Sequence, residues 1–291
     1  MQPSQEKIFI SHHQISEEQP IIGNRYVNQE RSGPRWDMHY GLEFGLVRAG
    51  KERRLFSDKS AMDAENGDVW FCGMWEPHGR KILNIPSEII VLLVWPPFLA
   101  RLHFPEVPDF CALAPFNAPP KLRPRTTART RKMMIKFGQQ LKQIVSDNTP
   151  YQKIHLRLVL QEILLCIYES WPEANTWGRR APSEEFAQIN QALQLVFESR
   201  SFVSTSEAAL ACGMNRHKFS ALFQSWMNIS FSDFSLRHRL HQAAEQLQAT
   251  ADPIKAIAGQ WGFANESHFY RIFLKHFGVL PGEYRRRMLS N

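Results

Sequence analysis

A structural phrase occurs twice in the last third of the chain, fifty residues apart. Phe219, Leu222 and Phe223 align with Phe269, Ile272 and Phe273. Each copy has a short Ala-rich amphipathic stretch, a Gly, a small polar residue and then a second amphipathic stretch. The first runs from Glu207-Ala208-Ala209 through Gly213 and Asn215 into residues 216–227. The second runs from Ile254-Lys255-Ala256 through Gly262 and Asn265 into residues 265–276. Helix, tight Gly-containing turn and second helix are the parts of a helix-turn-helix. Asn215 and Asn265 stand where each second helix needs an N-cap. Apolar residues at i, i+3, i+4 and i+7 or i+8 (Phe219, Leu222, Phe223, Trp226; Phe269, Ile272, Phe273, Phe277) mark the buried stripes.

Residues 233–249 between the copies read as one helix, with Leu236, Leu240, Ala243, Ala244 and Leu247 as its apolar face. Seventeen residues span about 25 Å. That length suits a spacer holding two reading helices about one duplex turn, roughly 34 Å, apart.

Charge does not by itself argue for nucleic acid. The net charge is +7, but basic against acidic residues number 12 to 15 in 1–120, 12 to 4 in 121–182 and 11 to 9 in 183–291. The most basic stretch is therefore not the duplicated one. Four cysteines, at 72, 111, 166 and 212, form no CxxC pair, the pattern of reduced thiols in a cytosol rather than of a zinc or disulfide frame. No apolar run is long enough to span a membrane, and the N-terminus lacks a signal pattern. A cytoplasmic protein is expected.

Upstream, residues 24–96 alternate like strands, with turns expected at 49–51, 65–68 and 77–79 and one buried strand at Ile89–Trp95. This suggests a sandwich or small barrel. Residues 105–125, rich in proline, read as an irregular crossing segment. Two amphipathic helices follow at about 127–146, with Met133, Met134, Phe137, Leu141 and Ile144 on one face, and about 151–170. Residues 172–182 read as a linker. The expected fold class is α+β multidomain, divided into an all-β barrel over 1–125, a helical dimerisation segment over 126–171, the linker over 172–182 and an all-α domain with two helix-turn-helix units over 183–291.

In the strand region Asp37, His39 and Glu43 share one face if Arg35 to Leu46 forms a continuous strand. Polar groups aimed into a small barrel are costly unless they meet a ligand, metal, water or each other. Arg35, His39, Glu43, Trp70, Trp75 and His78 are the expected lining of an effector pocket. Polar groups with an indole face suit a sugar or another polyhydroxy or carboxylated metabolite.

The run from Gly262-Phe263 through Ser267-His268-Phe269 and Arg271-Ile272-Phe273 to Phe277-Gly278-Val279-Leu280-Pro281-Gly282-Glu283-Tyr284-Arg285 resembles the AraC family of bacterial transcription regulators. Arg239-Leu240 with Ala243-Ala244 is similar to that family's linker helix. His39-x-x-x-Glu43 with Gly50, Gly67-Asp68 and Glu76-Pro77-His78 resembles the two motifs of the cupin barrel that many such regulators carry. Asp37 and Gly73 depart from the metal-binding version of that pattern, which has His and Pro there, so no metal and no cofactor are expected.

The resemblance implies DNA contacts from Arg216, His217, Ser220 and Ala221 in the first unit and from Glu266, Ser267, His268, Tyr270 and Arg271 in the second. Lys218, Lys275 and Arg285 suit phosphates, which position without specifying. Asn228 replaces the usual Gly after the first reading helix, and Ser220 and Ala221 are poor base readers. The implied partners are double-stranded promoter DNA, a small effector with sugars as the family's common theme, a second copy of the chain and RNA polymerase, with no membrane. The competing expectation is a metal-dependent cupin enzyme, an isomerase or dioxygenase, with a helical appendage.

Overall fold

The computed structural model describes residues 8–107, 110–171, 184–227 and 229–289, with side chains of 184–187 and 287–289 left aside. The linker expected at 172–182 and the turn residue Asn228 lie outside these residues. The chain divides into two compact units, Met1–Ser183 and Glu184–Asn291.

The first unit is built on two long strands, β4 (Leu42–Phe56) and β7 (His78–Val94), paired antiparallel from Leu42↔Val94 to Phe56↔His78. Each is flanked by two shorter strands in succession. β6 (Val69–Cys72) and β5 (Ala61–Glu65) cover the outer edge of β4, while β2 (Ile21–Asn28) and β3 (Arg35–Met38) cover that of β7. β1 (Ile8–Ile10) adds parallel to β3.

Two expectations need correction here. The stretch 49–51 is no turn: β4 runs through it with register shifts between Val47 and Glu52. Gly50 absorbs them at φ +76°, with the carbonyls of Asn84 and Pro86 within 3 Å of where a Cβ would stand. The stretch 35–46 is not one strand either. It breaks between β3 and β4, and the imidazole of His39 folds back onto the carbonyl of Gly41 at 2.8 Å.

Short helix α1 (Pro96–Ala100) precedes the proline-rich stretch, and α2 (Ala114–Asn117) lies within it. Buried Arg123 ties that stretch down, donating to the carbonyls of Ala118 and Phe71 and to Glu76. α3 (Ala128–Ser146) and α4 (Gln152–Ser170) lie against the sheet, α3 over β4 and α4 over β2. Thr127 and Thr130 form a reciprocal cap at the start of α3. Met134, Phe137, Leu141 and Ile144 are buried as the periodicity predicts, whereas Met133 is 45% exposed.

The second unit is all-helical: α5 (Glu184–Glu198), α6 (Thr205–Ala211), α7 (Arg216–Met227), α8 (Phe231–Ala249), α9 (Ile254–Gln260), α10 (Glu266–Phe277) and α11 (Pro281–Leu289). α8 is the expected spacer, two residues longer at its start. Among the described residues no helix is long and apolar enough to cross a membrane. The four cysteines are unpaired.

Candidate functional site

In the second unit the duplication is visible atom by atom. Asn215 Oδ1 accepts from Lys218 N at 2.9 Å, and Asn265 Oδ1 from His268 N at 2.8 Å. Each short helix ends in a glycine at positive φ, Gly213 at +64° and Gly262 at +69°. The next amide closes on the earlier helix, Met214 N to Ala209 O and Phe263 N to Ala258 O. The second turn is one residue longer before its cap. Phe219 and Phe223 stack with Phe231 at 5.2 Å, while Phe269 packs on Phe263 at 4.9 Å and Phe273 on Tyr284 at 5.4 Å.

With those stripes buried, α7 turns Arg216, His217, Lys218 and Ala221 outward, with Ser220 half-buried. α10 turns out Glu266, Ser267, Arg271 and Lys275. His268 and Tyr270 are half-buried, and Tyr270 packs on the core of its own unit. Arg285 is not free for a phosphate. Its guanidinium donates to Leu247 O at 3.1 Å and Asp252 O at 2.6 Å, fastening α11 to the end of α8.

Sequence reasoning missed the polar interior of α8. Arg239, 6% exposed, donates to the carbonyls of Trp261 and Gly262 at 3.1 and 3.0 Å and lies over the rings of Phe202 and Phe263. It therefore ties the turn of the second unit to the segment preceding α6. The heptad-like spacing shows only that Arg239 adjoins an apolar face, and a long cationic side chain there ordinarily reaches water.

In the first unit a cavity of about 120 Å³ opens on one face of the sheet, lined by residues of β2, β3, β4 and β7 together with His13 and His39. Of the six candidate effector residues, Arg35, His39, Glu43 and His78 line this cavity. Trp70 and Trp75 do not. Trp75 is buried against Tyr40 at 5.1 Å. Trp70 lies flat on Gly45, where a Cβ would stand 1.9 Å from its ring, and acts on the site indirectly by donating Nε1–H to Glu43 Oε1 at 2.7 Å.

Glu43 is the hub. Oε1 also accepts from Arg54 at 3.0 Å, and Oε2 faces Nε2 of His39 at 3.5 Å and of His78 at 3.3 Å. Each ring directs Nδ1 at a carbonyl 2.8 Å away, His39 at Gly41 and His78 at Glu76. A carbonyl only accepts, so Nδ1 carries the hydrogen. Nε2 then faces a carboxylate, also only an acceptor. Both Nε2 atoms thus converge on one carboxylate oxygen, an arrangement suited to a shared proton or a shared cation.

Burial opposes ionisation of Glu43, yet His78, His39 and Arg54 hold its carboxyl well below the usual range. Burial likewise opposes the charged form of His78, but Cys72 and Glu43 raise it well above an ordinary imidazole. The three donor groups lie within 4.8 Å of one another, all buried. Two imidazoles with anchored Nδ1–H and one carboxylate suit a divalent transition metal. Asp37 does not join them: its carboxylate accepts from the Ser11 hydroxyl at 2.6 and 2.8 Å.

Sequence reasoning missed His13, Tyr26, Arg54 and Arg80 in the lining. Lys51-Glu52-Arg53-Arg54 reads as a solvated turn, and only the register shifts at Gly50 put Glu52 and Arg54 on the inner face.

Residues 208–287 match the family described as a helix-turn-helix domain. The uncharacterized HTH-type transcriptional regulator YtdP of Bacillus subtilis is 33% identical over 93 residues, 32% of this chain and 12% of that protein. The HTH-type transcriptional activator RhaR of Mannheimia succiniciproducens is 24% identical over 288 residues, 97% of this chain and 98% of that one. A solved AraC-type regulator structure from Chromobacterium violaceum aligns at 27% identity and TM-score 0.34, covering 35% of this chain and 92% of that one. The chain is thus a helix-turn-helix transcription regulator. Its duplicated reading unit is similar to the DNA-binding domain of AraC-type regulators.

Proposed function

We propose that this chain is a cytoplasmic, non-catalytic, effector-responsive regulator of promoter DNA. The observation that carries the reading is the pair of equivalent capped helices, α7 and α10, joined by the 19-residue α8. At 1.5 Å per residue α8 spans about 28 Å, a span suited to successive major grooves. Arg216, His217, Ser220 and Ala221 on α7, and Glu266, Ser267, His268, Tyr270 and Arg271 on α10, contact DNA, while Lys218 and Lys275 bind phosphate. Arg271 can pair with a guanine edge and Glu266 can accept from cytosine.

The cavity among β2, β3, β4 and β7 receives a small effector. Its differential affinity for two states of the regulator shifts DNA binding. α3 and α4 mediate a homodimer, which doubles the half-sites read. Supporting this, Ile154 and Leu158 on one side of α4, Tyr151 just before it and Met133 of α3 are 43–65% exposed, apolar groups that a second copy would cover. RNA polymerase is the downstream partner.

Fluorescence anisotropy with the chain's own upstream intergenic DNA against random duplex, at fixed salt, tests the reading. Preference by several orders of magnitude is expected, and equal affinity for both duplexes refutes it. One observation favours the enzyme reading, the buried His39–Glu43–His78 donor set. Stoichiometric bound metal together with a turnover lost in His39→Ala would replace the regulator reading by a metal-dependent cupin enzyme.

A further inference from the structure

Three arginines stand in one row across the floor of the cavity. Arg80 on β7 is directly opposite Arg35 on β3 and directly opposite Arg54 on β4. Residues so paired project to the same face with Cβ atoms about 5 Å apart, and like charges in that position destabilise a sheet. All three line the cavity.

The protein's own acids neutralise the row only in part, through the Arg54–Glu43 pair at 3.0 Å. Of the two carboxylates in the lining, Asp37 accepts from Ser11 and from the Met38 amide, and Glu43 accepts from Trp70 and Arg54 and faces both histidines. Glu52, two residues before Arg54 on β4, is the third nearby acid. It is fully buried outside the lining, with one oxygen on the Ser87 hydroxyl and the other without a partner. Arg54 is 3% exposed, stacks on Trp70 at 4.1 Å, and keeps an Nε–H with no acceptor. Arg35 reaches over Phe9 at 5.6 Å. Arg80 lies over the Tyr26 ring at 5.4 Å and forms no ion pair among the described residues. The remaining titratable groups on the wall are His13, His39, His78 and Tyr26; a histidine supplies no negative charge, and burial raises the Tyr26 phenol so that it stays neutral.

The geometry points to a compact anion as the effector: a small carboxylate, or an oxyanion of similar size, bound by Arg80 with Arg35 and Arg54 beside it. This rests on the reading of the cavity as the effector site and narrows the ligand class from polyhydroxy or carboxylated metabolites to small anions. A guanidinium fork matches a planar oxyanion with two parallel hydrogen bonds. The bound charge also turns the mutual repulsion of the row into attraction to a common centre. A neutral sugar supplies hydroxyls but leaves that repulsion in place. The cavity, about 120 Å³, is below the roughly 300–1,000 Å³ of sites for drug-sized ligands, so the anion has only a few heavy atoms.

The test uses the full chain with oxalate, pyruvate and inorganic phosphate at constant ionic strength, against arabinose, glucose and acetamide. Thermal shift and calorimetric titration are the readouts. At least one anion binds saturably at one per chain, and the neutral compounds do not. Arg80→Met weakens that binding at least tenfold, and Arg80→Lys gives an intermediate loss because a point charge replaces the fork. Arg53→Met leaves it unchanged, since Arg53 is exposed and paired with Asp63. If Arg80→Met fails to fold, Arg35→Met serves in its place. Relief of the row further predicts a higher Tm for ligand-free Arg80→Met than for the parent.

The inference is overturned if no anion binds saturably, if a neutral sugar binds in their stead, or if anion binding survives Arg80→Met. Anisotropy on upstream DNA with the same preparations separates the two levels. Specific DNA binding without an anion response sinks this inference alone, whereas loss of DNA specificity sinks the regulator reading.

Discussion

Arg239→Met tests whether a single buried guanidinium holds the second reading unit in place. The wild-type side chain makes two charge-assisted hydrogen bonds, to Trp261 O and Gly262 O, and lies about 5 Å from the centres of two aromatic rings. A hydrogen bond to a charged group contributes roughly 1.5–3 kcal/mol, and each cation–π contact about 0.5–1 kcal/mol. Opposing these is the cost of burial, which pushes the guanidinium pKa down to about 10, and an Nε–H left without a partner. Methionine fills similar space and keeps favourable contact with Phe202 and Phe263. The substitution therefore isolates the two carbonyl bonds, with an expected net loss of about 2 kcal/mol.

Hydrogen exchange on the full chain reads this locally. Amides of α8, α9 and α10 should exchange about 30-fold faster, the factor that about 2 kcal/mol corresponds to. Amides of β4 and β7 should not change. Arg239→Lys should recover about half of the protection, since an ammonium can reach one carbonyl but cannot span both. Unchanged exchange in α8–α10, or an equal rise in the sheet, would refute the clamp.

Arg271→Ala should cost roughly 1–3 kcal/mol of discrimination between operator and random DNA, and equal losses on both in anisotropy would make Arg271 a phosphate contact. Gly45→Ala drives a Cβ to 1.9 Å from the Trp70 ring. Overpacking of that kind costs about 1–3 kcal/mol, and a Tm equal to the parent's would show that the indole has room to move. Burial in α8 lowers the pKa of His238 to about 3. The unfolded chain, near 6.5, therefore binds a proton that the folded chain refuses. That contribution to stability is complete above about pH 6.5 and is lost as pH falls toward 3. The urea midpoint of α8 exchange should fall between pH 7 and pH 5, and His238→Gln should flatten the slope.

The two halves of the chain differ in how far their sequence reveals them, and the reason is geometric. A helix carries its own register. The spacing of Phe219, Leu222 and Phe223, repeated by Phe269, Ile272 and Phe273, determines which face is buried and which is left outward, without reference to any distant residue. Asn215 and Asn265 cap locally, three residues from the amides they satisfy. Even so, Arg285 shows the limit of local reading. Its acceptors lie more than thirty residues upstream, and an exposed-looking basic residue near a C-terminus gives no sign of them.

In a sheet, inward and outward are decided by pairing, and a shift of one residue exchanges the two faces. Glu43, His39 and His78 were legible because they sit at strand ends beside turn residues. The arginines that determine the charge of the cavity were not. Alternation read straight along 42–56 places Glu43 and Lys51 on one face and Glu52 and Arg54 on the other. The irregular pairing around Gly50 reverses that assignment, so that Arg54 reaches Glu43 and Arg53 reaches Asp63. One glycine at positive φ thus brings Arg54, out of a run of four charged residues that reads as a solvated turn, into the cavity wall. Moving Gly50 to Ala should therefore disturb ligand binding more than its distance from the cavity suggests. A side chain there meets two carbonyls and a Cα within 3 Å, and the relief available to β4 is to give up the shift that turns Arg54 inward.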